Sequence, residues 1–281
     1  MPETIEIDRQ SYLRNGYLVI RKVLDLSLIE TLNGDMNRIV AGPLKARGVE
    51  VMPGRDAAAF HENARRLLAA DVGAYISAAR LTQMLPSAQA LMSSPGIFEV
   101  LNGLGLSFPV ISTRLSNHII ADDIKIPGGY HKSPAHQDWR SMQGSLDSVV
   151  IWAPTTPVTQ DRFPLEVIPG SHLLGLCETI EHIQTPMVSD PRLGAAEYVG
   201  LELEPGDIVV FSSFLVHQTG EKGDGGLRIA FSVRFNNADE VNYINHDYPT
   251  PYRYSYQTDL IVPNFPSLKD LKAIFPDVLG N

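Results

Sequence analysis

From about residue 108 to residue 235 the chain is a succession of short apolar runs, VISTRLSNHII, SVVIWAPTTPV, LEVIPGS, GDIVVFSSFLV and LRIAFSVRF, separated by Gly, Pro, Asp and Asn. Runs of this length bounded by turn formers read as strands, and a series of them folds into a β-sandwich or barrel with helices packed outside. The preceding region has helical texture. Asp8 caps a short helix that stops at Gly16, residues 17–24 (YLVIRKVL) read as a strand, and residues 28–40 carry apolar side chains at helical spacing. Further helices are predicted over residues 57–70 and after Tyr75. No repeat, low-complexity tract or linker interrupts the 281 residues, so one domain is expected: a helix-rich part over 1–106, a β core over 107–237 and a tail over 238–281. The tail carries Tyr243, Tyr248, Tyr252, Tyr254 and Tyr256 and ends in a short helix capped by Ser267 with Asp270. It reads either as a packed cover over one end of the barrel or as the lining of a substrate mouth.

Charge narrows the partners. A formal net charge of −9, with no dense Lys/Arg run, excludes a nucleic-acid groove or an anionic membrane surface as the main partner and leaves a small molecule. No apolar run reaches the roughly 18 residues needed to span a bilayer. The lone Cys177 has no internal disulfide partner, and MPETIEIDRQ lacks the layout of a secretory signal; a cytoplasmic location is the expectation.

Two segments carry chemistry. In AHQDW, after the turn-prone PGGYHKSP, an extended chain places His136 and Asp138 on one face and Gln137 on the other, offering one imidazole and one carboxylate to a single ion. Alone, the pair is equally well a His–Asp hydrogen bond at a strand end. The second segment is PGDIVVFSSFLVHQTGEKGDGGLRIAFSVRF. Folded as a hairpin about Gly223, it brings His217 opposite Arg228 or Ile229 on the returning strand. Arginine on an apolar strand needs an anionic partner, which its planar fork binds bidentately; that partner is a ligand or a carboxylate within the fold. Arg234 is the rival anchor, but six residues along the strand place it roughly 20 Å from the metal. Two histidines and a carboxylate on one face of an iron leave open positions for a bidentate co-substrate and dioxygen.

The order His136-Gln137-Asp138, Trp152, LEVIPGSHLLG, EPGDIVVFSSFLVHQTG and Arg228, together with the opening YLRNGYLVIRKVLDLSLIETL, resembles the phytanoyl-CoA hydroxylase family of iron(II)/2-oxoglutarate dioxygenases over residues 8–237. The resemblance implies a fold that is mainly β with flanking helices, its core a double-stranded β-helix (a cupin-like jelly roll). It implies Fe(II) held by His136, Asp138 and His217, 2-oxoglutarate held by Arg228, Trp152 packed near the co-substrate, and oxidation of a small-molecule C–H bond by dioxygen with release of succinate and carbon dioxide. Some related oxygenases carry serine two residues after this arginine; here the position is Ala230, so a second co-substrate contact must come from elsewhere. Asp138 stands where related halogenases leave room for a halide, which favours hydroxylation. The acidic balance disfavours a polyanionic acyl-CoA. Two rivals remain: an oxygenase or isomerase on a similar barrel that chelates its substrate without an oxo acid, and a non-catalytic jelly-roll binding protein.

The remaining histidines read as structure. Ser171-His172 lies in a turn after a strand and lacks a nucleophile elbow. His131 belongs to the approach loop, with a surface or substrate-facing role, His118 to a half-buried strand, and His246-Asp247 to a solvated loop.

Overall fold

The structure, a computed structural model, describes residues 5–126, 132–182 and 185–250. In chain order the elements are α1 (Arg9–Asn15), β1 (Tyr17–Ile20), α2 (Leu26–Ala46), α3 (Ala57–Ala70), α4 (Val72–Leu81), α5 (Pro86–Met92), α6 (Pro95–Leu104), β2 (Pro109–Ile111), β3 (Ser116–Ile120), α7 (Trp139–Met142) and β4 (Val149–Pro154). They continue as β5 (Leu165–Val167), β6 (Thr179–Ile180), β7 (Met187–Val188), β8 (Val199–Leu201), β9 (Ile208–Ser212), β10 (His217–Thr219), β11 (Arg228–Asn237) and α8 (Val241–Asn245).

The helical half is punctuated as its sequence demands. Asp8, Asp25, Asp56 and Asp71 each accept a main-chain N–H at a helix start, an arrangement that contributes about 1 kcal/mol per cap. Gly16 ends α1 at φ 81, a left-handed cap that other residues adopt at a cost. The helix expected over residues 28–40 runs instead from Leu26 to Ala46 and holds Pro43 within it. The strand expected over 17–24 stops at Ile20.

Two antiparallel sheets form a jelly-roll core. The larger has the order β1-β9-β4-β11-β2, with β3 also on β11; the smaller is β10-β5-β8. Every residue of β4 and β9 is buried, because the larger sheet is covered on both faces. Val149, Ile151, Ala153, Ile208, Val210, Ile229, Phe231, Val233 and Phe235 face outward and pack with Leu32, Met36, Leu91, Ile97 and Leu101 of the helices. Val150, Trp152, Val209, Phe211 and Ala230 face inward against Leu165, Val167 and Leu201 of the smaller sheet. Two apolar faces explain why these strands read as unbroken hydrophobic runs rather than as alternation. β11 is the exception: its outward positions are apolar, while its inward row runs Arg228, Ala230, Ser232, Arg234.

The sequence expectation of a His217–Arg228 hairpin is overturned. β10 pairs with β5, His217 opposite Val167, whereas β11 pairs with β4, β3 and β2. In a jelly roll the intervening loop carries the chain from one sheet to the other, so the two strands face each other across the interior instead of sharing a ladder. Tyr243 of α8 is buried, its hydroxyl accepting from Asn236 Nδ2 at 3.1 Å. Tyr252, Tyr254, Tyr256 and the helix expected at Ser267 lie outside the described residues. Among the described residues no helix is long and apolar enough to cross a membrane.

Candidate metal and co-substrate site

Two segments meet in a short antiparallel bridge. His136 N–H donates to His217 O at 3.0 Å, and His217 N–H to His136 O at 3.1 Å. The bridge sets the rings side by side, centroids 4.2 Å apart. Each ring is then oriented by a carbonyl two residues upstream in its own chain: His136 Nδ1 lies 2.7 Å from Pro134 O and His217 Nδ1 3.0 Å from Leu215 O. A carbonyl only accepts, so both Nδ1 atoms carry the proton and both Nε2 atoms present lone pairs, the tautomer a metal ligand requires.

Both lone pairs face Asp138. His136 Nε2 is 3.9 Å from Oδ1 and His217 Nε2 is 3.7 Å from Oδ2. These separations exceed hydrogen-bond length but suit atoms that each sit about 2 Å from a common ion. The three ligand atoms lie within 4.8 Å of one another, and Asp138 Oδ2 is buried without any hydrogen-bond partner. A buried carboxylate oxygen with nothing to accept from is costly, and an ion removes that cost. The bridge is in keeping with the extended chain expected at His136, but the chain leaves extended geometry at Asp138, which has helical torsions and opens α7. Gln137 points the other way, its amide meeting Gly175 O, Phe214 O and Cys177 N–H.

Burial acts on His217 and Asp138. It drives the His217 pKa down to about 3, helped by neighbouring His136. For Asp138 burial pushes upward, but Arg234, His217 and His136 outweigh it and hold the carboxyl well below the usual carboxylate range. His217 is therefore neutral and Asp138 ionised at neutral pH, ready for a cation.

Arg234 is where the sequence reading fails. Instead of standing some 20 Å away, its Nη2 donates to Asp138 Oδ1 at 3.0 Å. Six residues of strand do separate it from Arg228, but the triad sits on other segments of the chain, His136 and Asp138 before α7 and His217 on β10, and the long Arg234 side chain reaches it. Arg234 Nη1 is held in turn by Ser116 Oγ at 3.0 Å and Ser232 Oγ at 3.2 Å.

Arg228 differs in having no counter-charge among the described residues. It is 1% exposed; Nη1 donates to Phe163 O at 2.7 Å, the guanidinium lies 5.5 Å from the Trp152 ring centroid, and Nε has no partner. Among the described residues it forms no ion pair, while lesser arginines such as Arg162 and Arg192 do. Burial alone brings its pKa down to about 9, which still leaves it charged at neutral pH. Phe163, which supplies the carbonyl, adopts φ 44, a conformation uncommon outside glycine.

His118 carries more than the strand role expected of it. It is the direct cross-strand partner of Ala230, its Nε2 lies 3.0 Å from Ser232 Oγ, and burial, then the positive Arg228 and Arg234, hold its pKa well below the ordinary value. A neutral imidazole thus stands beside the position where related enzymes carry serine. The available signal was its alternation with Ser116 along a strand otherwise ending in isoleucines. His172 sits in the expected turn, bonded to Leu13 O, and His246 is exposed. His131 lies outside the described residues.

An uncharacterised protein of Mycobacterium tuberculosis is 26% identical over 234 residues, covering 82% of this chain and 75% of that one. Among solved structures, the epimerase SnoN, in complex with Fe3+, alpha ketoglutarate and nogalamycin RO, superposes with a TM-score of 0.55 at 17% identity over 88% of this chain and 90% of its own. The carbocyclase SnoK from nogalamycin biosynthesis gives 0.55 at 16% identity over 92% and 94%. These two show the same fold. The family model for phytanoyl-CoA dioxygenase (PhyH) matches residues 12–230, a stretch containing both bridge histidines, Asp138 and Arg228, and the chain belongs to that family.

Proposed function

We propose that the protein is an iron(II)- and 2-oxoglutarate-dependent dioxygenase that hydroxylates a C–H bond of a small molecule. The observation that carries the reading is the pairing, within one barrel interior, of a metal-competent triad with a buried arginine that has no anion. His136, Asp138 and His217 would hold the iron through Nε2, Oδ2 and Nε2. Arg228 would bind the far carboxylate of 2-oxoglutarate, its fork already aimed by Phe163 O and the Trp152 face. Iron and the oxo acid, when bound, supply dioxygen activation with conversion of the oxo acid to succinate and carbon dioxide.

The chain's own residues supply the rest. The bridge and the two upstream carbonyls fix both imidazoles, so little reorganisation accompanies metal entry. Val150, Phe211, Leu165 and Val167 keep the interior apolar, which strengthens the charge contact at Arg228. SnoN, which shares the fold, was captured with Fe3+ and alpha ketoglutarate, and this supports the cofactor assignment. A barrel that chelated its substrate directly would leave Arg228 buried, charged and without a purpose.

Anaerobic titration with Fe(II) and 2-oxoglutarate tests the proposal. A weak visible charge-transfer band should develop in wild type, and oxygen uptake should yield succinate once substrate is present. If no band forms and Arg228→Ala binds 2-oxoglutarate as wild type does, the co-substrate assignment is wrong. Product analysis then separates hydroxylation from other oxidations; SnoN and SnoK are an epimerase and a carbocyclase.

A further inference from the structure

We infer that Arg234 is a positioning residue that keeps Asp138 a one-atom metal ligand. The inference rests on the metal reading above and adds a role to it. A carboxylate binds an ion through either one oxygen or both. Here the two oxygens are inequivalent: Oδ1 accepts from Arg234 Nη2 at 3.0 Å, while Oδ2 is buried and partnerless. The donor is itself anchored, because Nη1 is tied to Ser116 Oγ and Ser232 Oγ and Ser232 Oγ also meets His118 Nε2. The Arg234 side chain is only 13% exposed, so water competes little for the contact.

The count of positions gives this its consequence. Three single-atom protein ligands would leave a six-coordinate iron room for a chelating oxo acid and for dioxygen. If Asp138 closed onto the ion with both oxygens, the last position would be lost. By engaging Oδ1, Arg234 prevents that closure. Simple neutralisation of a buried carboxylate would need only a nearby cation; the two serine anchors fix which nitrogen meets which oxygen.

The test compares wild type with Arg234→Met, which keeps length without donors, and with Arg234→Lys, which keeps charge but not the three-way fork. Mn(II) affinity of the oxo-acid-free protein is measured by calorimetry. Nitric oxide then probes the remaining position of the Fe(II)/2-oxoglutarate complex, read by its EPR signal under anaerobic conditions. Thermal unfolding of the metal-free proteins reports folding. In Arg234→Met, nitric oxide affinity should fall about 10-fold, the lower end of the usual range for partners of metal ligands, while 2-oxoglutarate still binds and Mn(II) affinity holds or rises, because the second carboxylate oxygen is freed for the ion and a neighbouring positive charge is gone. Should Arg234→Met fail to fold, a several-fold loss of nitric oxide affinity in folded Arg234→Lys, with Mn(II) still bound, supports the same conclusion. A wild-type nitric oxide affinity in the folded variants, or a loss of Mn(II) affinity in Arg234→Met, overturns the role of Arg234 alone. Failure of wild type itself to bind Mn(II) or Fe(II) overturns the metal reading together with it.

Discussion

Arg228 and Arg234 stand on one face of one strand, yet their energetics differ. Arg234 has a carboxylate and two hydroxyls; Arg228 has one carbonyl and an aromatic face. A buried guanidinium without an anion is a cost to the metal-free protein. Arg228→Met should therefore leave its melting temperature at or above the wild-type value, while raising KM for 2-oxoglutarate on the order of 100-fold, as expected for loss of two charge-assisted hydrogen bonds. Calorimetry and steady-state kinetics on the same preparation separate the two effects. The histidines give a pH signature. His217, with its pKa near 3, and His118, also lowered, stay neutral in the folded chain where the unfolded chain binds protons below about 6.5. The unfolded state thus holds more protons between about pH 6.5 and 3. Metal-free stability should fall as pH drops through that window, by up to about 1.4 kcal/mol per pH unit per histidine, and denaturant melts at pH 7, 6 and 5 measure the slope. At this scale the sequence pointed to the three side chains that the fold brings together, because HxD and the later histidine are chemically conspicuous. It hid Arg234, whose contact depends on where the opposite wall lies.

At the level of elements, β11 shows why local patterning was informative and connectivity was not. Alternation along LRIAFSVRF announces a strand with an apolar outer row. Whether the loop before it closes a hairpin or crosses between sheets is decided by the packing of the whole barrel, and the loop residues look alike in both cases. That loop also has a task. A Cβ on Gly223 would come 2.3 Å from Phe163 Cζ, and Phe163 is buried with its carbonyl on Arg228. Gly223→Ala should push Phe163 aside, loosen Arg228 and raise KM for 2-oxoglutarate several-fold, with Mn(II) affinity unchanged. A parallel fall in Mn(II) affinity would show that the loop supports the triad as well.

Over the molecule as a whole, labour is divided between the two faces of the larger sheet. The outer face and the helices form one continuous apolar cluster, and the inner face holds the polar row. Leu67→Ala in α3, fully buried far along that cluster, should cost about 2–5 kcal/mol in denaturant melts, yet below the transition Mn(II) binding should match wild type. Metal binding should in turn stabilise the fold by about 2.7 kcal/mol at 100 times Kd, and Asp138→Ala should abolish that gain. The Asp8 cap, the strand series and the class of fold were legible in the sequence because each depends on neighbours a few residues away. The pairing of sheets was not, since it joins positions such as His136 and His217 across 81 residues of chain.

The bridge between those two histidines also makes a reporter. Their amide hydrogens are both committed to each other's carbonyls, so neither exchanges with solvent unless the two ligand-bearing segments separate. An ion clamped between the imidazoles would have to be released first. Deuterium uptake at these two backbone positions should therefore slow in proportion to metal occupancy, giving a clock for iron residence that needs no turnover, no chromophore and no knowledge of the substrate.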